Sequence, residues 1–139
     1  MNVKKRNTIL VLHGPNMNLL GRRTILKNKN ITLDKLNRHI KKTIKDYSFQ
    51  IKIVQTNEEG RAVTLLQRNR NLVVGIIIFP GPWQHSGYVL KDTLELLKIP
   101  FITISQGEKV KQLVGKLNVS NDDLYTSVEI AIKEFDLIK

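Results

Sequence analysis

Two short segments of the sequence combine a rigid turn with side chains that could hold an anion. The first, His13-Gly14-Pro15-Asn16, follows an apolar run and precedes the pair Arg22-Arg23. Glycine lets a ligand approach the backbone closely, proline stiffens the turn, and Asn16 offers both hydrogen-bond donors and acceptors. The two guanidinium groups could clamp an anion or lower the pKa of a nearby acid. The alternative is an ordinary strand-ending turn, in which Asn16 caps its own backbone and the arginines are solvated.

The second segment reads Phe-Pro-Gly-Pro-Trp-Gln-His-Ser over residues 79–86. Its turn should place Gln84, His85 and Ser86 in the first turn of a helix, where free backbone N–H groups favour an anion. His85 could hydrogen-bond a hydroxyl or carboxylate of a ligand, or it could simply pack the helix. Asp92, further along the same predicted helix, is either a surface charge or an interface contact.

Length and composition limit the classes of protein that this chain can be. With 139 residues, 41% of them hydrophobic, the sequence predicts one domain over residues 1–139 with its own core. The absence of cysteine excludes disulfides and thiolate chemistry, and three histidines argue against a histidine-rich metal site. Apolar runs far shorter than ~20 residues argue against a membrane span, and the run after the basic first residues is too short for a signal peptide. We therefore expect a cytoplasmic protein.

The net charge of +11 is compatible with nucleic acid, an anionic surface or acidic small molecules as partners. The basic residues are scattered, however, and aromatic residues are not interleaved with them as they are where bases stack. Nucleic acid is therefore the less favoured partner. Trp83 could pack over the loop or into a subunit contact, and packing in the core is the favoured role.

Apolar runs predict the strands that must position these segments. Residues 8–12, Val73–Phe79 and Phe101–Ser105 have the pattern of strands buried on both faces, as in a parallel sheet. Residues 49–55 form a weaker fourth candidate, and residues 113–117 could be a fifth.

The segments between these strands have the apolar periodicity of helices. Helices are predicted after Thr32, after Asn57, from Pro82 and after Asn121-Asp122-Asp123. Their expected buried residues are Leu33, Leu36, Ile40 and Ile44, then Ala62, Val63, Leu65 and Leu66, then Val89, Leu90, Leu94 and Leu97, and finally Leu124, Val128, Ile132 and Phe135. The alternation predicts an α/β fold with helices on both faces of a parallel sheet, and any ligand should bind at the carboxyl ends of the strands.

Three segments in this order, LVLHGPNMNLLGRR, QTNEEG and FPGPWQHSGYVLKDTLELLKIPF, resemble the type II 3-dehydroquinate dehydratase family over roughly residues 8 to 105. The resemblance implies a flavodoxin-like parallel sheet with helices on both faces and an assembly of trimers into a dodecamer. It also implies a shikimate-pathway lyase that removes water from dehydroquinate, a small carboxylate, without metal or cofactor.

The resemblance also implies roles for individual residues. In the family a tyrosinate, its pKa lowered by an arginine, takes a proton beside the ketone. An asparagine then steadies the enolate through a water, and a histidine protonates the departing hydroxyl. By motif position, Asn16 corresponds to the asparagine and Arg23 to the arginine. His85 and Ser86 correspond to substrate-binding residues, and Asp92 to an aspartate that reaches a neighbouring subunit's site.

Two departures from the family pattern affect the proton-transfer groups. Asn28 stands at the position of the tyrosine, and an amide cannot act as a base near neutral pH. Thr103 and Ser105 stand at the positions of the glutamate and the general-acid histidine of the fourth strand. The backbone amides of Gln106 and Gly107 could still hold a carboxylate, because a peptide N–H needs no particular side chain.

Three hypotheses follow from these residues. The first is a dehydratase homologue that is catalytically impaired or inactive but keeps an anion or carboxylate pocket. The second is a binding or assembly protein that reuses the same pocket. The third is a related reaction on another anionic ligand, in which His13, Lys27 or Lys29 transfers the proton.

Overall fold

Five parallel strands form the centre of the molecule in the order β2-β1-β3-β4-β5. The computed structural model describes residues 7–22 and 30–138. The strands are β1 Thr8–His13, β2 Gln50–Gln55, β3 Val73–Phe79, β4 Phe101–Ser105 and β5 Leu117–Ser120. This strand order is flavodoxin-like, and it places the switch point between β1 and β3, where the crevice for a ligand is expected.

Helices cover both faces of the sheet, as the sequence predicted. The helices are α1 Leu33–Ile44, α2 Glu59–Asn69, α3 Trp83–Ser86, α4 Tyr88–Leu97 and α5 Leu124–Ile138, and a 3-10 turn spans Met17–Leu19. Because side chains alternate along β1, Ile9 and Val11 pack with α1 and α5, whereas Leu10 and Leu12 pack with α2 and α4. Two apolar layers therefore hold the sheet from either side.

The predicted start of α1 is confirmed by its cap. Thr32 adopts an extended conformation, and its Oγ1 accepts a hydrogen bond from the Lys35 backbone N–H at 3.2 Å. The cap satisfies one of the N–H groups that a helix start leaves without a partner inside the helix. The helix then buries Leu36, Ile40 and Ile44.

The single helix predicted from Pro82 is wrong, because the chain forms two helices separated at Gly87. Its N–H donates to the Trp83 carbonyl at 2.8 Å, and a Cβ at Gly87 would lie 2.6 Å from that oxygen. The break turns α4 so that Leu90 and Leu94 are buried, but Val89 is 59% exposed. Val89 was therefore wrongly predicted to face the core.

The fifth strand lies a few residues later than predicted. β5 pairs with β4 through residues 117–120, and residues 113–116 precede it without strand structure. Leu113 is nonetheless fully buried. An apolar residue that enters the core from a coil segment looks, in sequence, like part of a strand.

None of the helices in residues 7–22 and 30–138 has both the length and the apolar character that crossing a bilayer requires.

We predict that packing at Gly75 on β3 limits stability. A Cβ at this position would lie 2.5 Å from the Phe135 ring of α5. Gly75→Ala should therefore lower the free energy of unfolding by about 1–3 kcal/mol, since overpacking forces the ring or the backbone to shift. Urea denaturation measures the change.

Gly60→Ala is the matched control, because a Cβ at Gly60 on α2 meets nothing within 4 Å. Alanine is the better helix former, so this variant should be neutral or stabilised by up to ~1 kcal/mol. Equal stability of the two variants would contradict tight packing of Phe135 on β3.

Candidate ligand site at the strand ends

The loops that follow β1 and β3 are in direct contact at the switch point. The Gly14 N–H donates to the Phe79 carbonyl at 3.0 Å. A Cβ at Gly14 would lie 2.5 Å from that oxygen and 3.0 Å from the Trp83 ring, so only glycine fits between the two loops. Trp83 is 3% exposed, which confirms its predicted place in the core.

Side chains at the end of β2 and just after it hold the loop after β1 through hydrogen bonds. Nε2 of Gln55 donates to the Gly14 carbonyl at 3.2 Å and to Oδ1 of Asn57 at 3.1 Å. The same Oδ1 accepts from the Asn16 backbone N–H at 3.0 Å. No role at the site was predicted for Gln55 or Asn57, and Asn57 was expected only at the start of α2. The signal was present in the QTNEEG motif, but only the folded chain shows what its amides bind.

Asn16 itself lies at the surface of this crevice. Its φ of 69° is left-handed, a conformation that asparagine tolerates better than most residues. Its side chain makes no cap hydrogen bond to the 3-10 turn that follows, so the alternative of a simple self-capping residue is wrong. Asn16 is exposed, and a contact between its amide and a ligand stays a prediction.

The expected free amides of the third loop are not free. The N–H groups of Trp83, Gln84 and His85 donate to the carbonyls of residues 80–82 at 2.9–3.1 Å, and that of Ser86 donates to Pro82 at 3.3 Å. The tight turn before α3 therefore satisfies its own donors. An anion bound by first-turn amides of this helix was a wrong prediction, although the His85 and Ser86 side chains are exposed.

Gln84 is buried and holds the segment that leads to β5. Its Oε1 accepts from the N–H groups of residues 111, 112 and 113 at 2.9–3.1 Å, and its Nε2 donates to the Leu113 carbonyl at 3.2 Å. Gln84 was expected at a ligand. Instead, it fixes the end of the loop that begins at Gln106.

A cavity of about 280 Å³ opens between the loops after β3 and β4. Its lining in the described chain comprises Gly81, Pro82, His85, Gln106 and Glu108. Two residues predicted at the site, His85 and Gln106, therefore share one cavity. Asp92 is exposed on α4 and is not among these lining residues.

The Gln106 amide, expected to receive a ligand carboxylate, is already bound. The carboxylate Oε2 of Glu108 accepts from the Gln106 N–H at 2.8 Å. Gly107, with a φ of +103°, forms the turn between them and is itself exposed. The side chain of Gln106 reaches Sδ of Met17 at 3.2 Å and thereby ties this loop to the one after β1. No sequence signal marked Glu108.

The positions of the family's glutamate and histidine form a closed polar cluster. Thr103 and Ser105 are 0% and 2% exposed, and both hydroxyls donate to Oδ1 of Asn118 on β5, the one from Ser105 at 3.0 Å. The carboxamide of Asn118 therefore satisfies both side chains without a ligand. A hydroxyl so placed has no ionisable proton at neutral pH.

Several predicted residues lie outside the described part of the chain: Arg23, Lys27, Asn28 and Lys29. Arg22 is described and exposed. Among the described residues, no group of three or more histidine, aspartate or glutamate side chains could hold a metal ion.

His13, one candidate for a new acid or base, is fully buried at the end of β1. Its Nε2 lies 2.8 Å from Oδ1 of Asn37, and its ring stacks on Phe79 with centroids 4.8 Å apart. Burial lowers the pKa of His13 to about 4, and the Asn37 hydrogen bond opposes this shift. The ring is thus neutral near pH 7, and at 0% exposure it offers no surface to a ligand. The hypothesis of a catalytic His13 is wrong for this conformation.

Fold and crevice together define a flavodoxin-like α/β protein with its candidate site at the strand ends. The model of the family Dehydroquinase class II matches residues 7–113. The chain therefore belongs to the class II dehydroquinase family, as its motifs indicated.

Individual relatives agree with this assignment. A 3-dehydroquinate dehydratase of Roseiflexus castenholzii is 40% identical over 96 residues, which are 69% of this chain and 61% of that protein. One of Halothermothrix orenii is 34% identical over 98 residues, or 70% and 66% of the two chains. The matched part thus spans a little under two thirds of these relatives. The crystal structure of a type II dehydroquinase from Propionibacterium acnes superposes with a TM-score of 0.82 at 22% identity, covers 94% of this chain and 97% of that one, and supports the fold.

We predict that His13 makes stability depend on pH below neutrality. Because its pKa is lowered from 6.5 to about 4, its contribution is present above pH 6.5 and is lost as the pH falls towards 4. The shift corresponds to roughly 3 kcal/mol at ~1.4 kcal/mol per pKa unit. Urea denaturation at pH 7 and pH 4 measures the loss.

His13→Gln is the comparison, since glutamine can donate to Asn37 but does not titrate. The variant retains every carboxylate of the parent chain, so the difference between the two pH profiles isolates the imidazole. Parallel profiles would show that His13 is not buried in its neutral form.

Proposed function

We propose that this chain is a catalytically impaired or inactive homologue of the dehydratases, with a role in binding rather than turnover. The single observation that carries the proposal is the Ser105–Asn118 hydrogen bond at 3.0 Å. Ser105 stands at the motif position of the general acid, and its buried hydroxyl already donates a hydrogen bond within the chain. A general acid or base usually contributes ~10²–10⁴-fold to a rate. The motif position of the base carries Asn28, an amide.

The proposed ligand is a small carboxylate, bound in the crevice without metal or cofactor. The contact between the Gln106 N–H and the Glu108 carboxylate supports this ligand class, because this N–H donates to a carboxylate oxygen at 2.8 Å. The net charge of +11 favours the approach of anions. Asn16 and His85, both exposed beside the crevice, would contact the polar groups of such a ligand. A cytoplasmic location belongs to the same proposal.

Turnover of dehydroquinate tests the impairment directly. Assayed beside the Roseiflexus castenholzii relative, the purified chain should be slower by roughly 10⁴-fold or more, since groups that transfer both protons are missing. The rise in absorbance as the conjugated product forms measures the rate.

Ser105→Ala is the internal control for this assay. If Ser105 takes no part in proton transfer, the variant should keep whatever residual turnover the parent has, although it loses a buried hydrogen bond. Turnover within about tenfold of the relative would overturn the proposed impairment, and loss of the residual turnover in Ser105→Ala would contradict the passive role of Ser105.

We also propose that the chain forms a homo-oligomer, a trimer or a dodecamer, through α4. Tyr88 and Leu96 are 64% and 73% exposed, and Asp92 lies between them one turn from each. Large apolar side chains so placed on one helix face are typical of a protein interface.

Light scattering should give three or twelve times the protomer mass for the parent chain. Leu96→Asp should reduce this mass, because a carboxylate would be buried without a partner. Leu137→Asp, at a position 68% exposed on α5, is the matched control and should leave the mass unchanged. A monomeric parent chain would exclude the proposed assembly.

A further inference from the structure

The described residues that line the cavity between the loops after β3 and β4 differ in charge from the chain as a whole. Of the five described residues that line it, Glu108 is the one with a carboxylate, and none is a lysine or an arginine. The chain as a whole has a net charge of +11. A free anion attracted to the protein would therefore meet a negative side chain at this opening.

The Glu108 carboxylate is bound where such an anion would bind. Its Oε2 accepts the Gln106 N–H at 2.8 Å, a short distance that is typical of hydrogen bonds to ionised acceptors. Glu108 is separated from that amide by Gly107 alone, so the side chain folds back over a tight turn. The backbone N–H that follows β4 is thus already hydrogen-bonded within the chain.

The surroundings hold the turn in place but leave its side chain room to move. On one side, Nε2 of Gln106 contacts Met17 Sδ at 3.2 Å, and on the other Gln84 binds residues 111–113. Apart from its neighbours Gln106 and Glu108, no described residue lies within 4 Å of a Cβ added at Gly107, so the tip of the turn is not packed against another part of the chain. Glu108 itself is partly exposed. Rotation of this one side chain would uncover the amide without any movement of the fold.

We propose that Glu108 is an internal ligand that determines which molecules the cavity accepts. It occupies the carboxylate position of the site, and an external carboxylate binds only by displacing it. The inference rests on the proposed binding of a small carboxylate in this crevice. Displacement costs the hydrogen bond between the Gln106 N–H and an ionised acceptor, so Glu108 lowers the affinity for anions more than that for neutral ligands of the same shape.

The simpler alternative is that Glu108 only caps the turn. In that case the carboxylate would stabilise the loop, and its removal would not create a better site for an anion. The two possibilities differ in the sign of the change in ligand affinity, and calorimetry can measure that sign.

The experiment compares quinate, a cyclic polyhydroxy carboxylate, with its uncharged methyl ester. Isothermal titration calorimetry is performed with the full chain and with Glu108→Ala. We expect Glu108→Ala to bind quinate at least tenfold more tightly than the parent chain, and to gain much less affinity for the ester. Glu108→Gln, which keeps an acceptor oxygen but removes the charge, should give an intermediate affinity for quinate.

Glu95→Ala is the matched control for net charge. Glu95 is an exposed residue of α4 that lines a different cavity together with Phe101, at the opposite end of β4. Glu95→Ala should bind quinate with the affinity of the parent chain. Urea denaturation of each variant verifies that the fold is retained.

The outcomes separate this inference from the proposed function. Equal quinate affinity of the parent chain and Glu108→Ala would overturn the internal ligand but leave the carboxylate site intact. Equal gains for quinate and for its ester would show that Glu108 acts only by its bulk, which also overturns the proposal. If neither Glu108→Ala nor Glu108→Gln binds quinate, both the internal ligand and the carboxylate site are excluded. Turnover of dehydroquinate has no bearing on any of these results.

Discussion

The hydrogen bond between the Gly14 N–H and the Phe79 carbonyl is the contact on which the crevice depends. It requires two backbones to approach so closely that no side chain fits at Gly14. This approach brings the turn before α3 onto the end of β1, and it lets Trp83 close the core beneath both loops. Gln84 then extends the connection to residues 111–113. This contact at the switch point is thus connected to loops from three strands, β1, β3 and β4.

Polar groups around this crevice are satisfied mostly by the chain itself. Asn57 binds the Asn16 backbone, Asn118 binds two buried hydroxyls, and Glu108 binds the Gln106 amide. Buried polar groups without partners are costly, so these internal partners stabilise the loops. Oε1 of Gln106, in contrast, is buried without a hydrogen-bond partner among the described residues.

The sequence was most informative where burial alone decides structure. The strands Val73–Phe79 and Phe101–Ser105 were predicted with the bounds that they have, because both faces of a central parallel strand are apolar. The break at Gly87 was missed, since it depends on the space that Trp83 leaves. The partners of Asn118 and Glu108 were missed for a related reason. A turn sets the partner of Glu108, and a neighbouring strand sets those of Asn118. Neither contact leaves a periodic pattern in the sequence.

The carboxamide of Asn118 also restricts how this protein can change. Because a single oxygen accepts from both Thr103 and Ser105, the three positions are energetically coupled, and substitutions in contact do not act additively. An imidazole introduced at position 105 alone would enter a space sized for a hydroxymethyl group and would leave Thr103 competing for the same acceptor. An imidazole at position 105 would thus need concerted replacements on both β4 and β5.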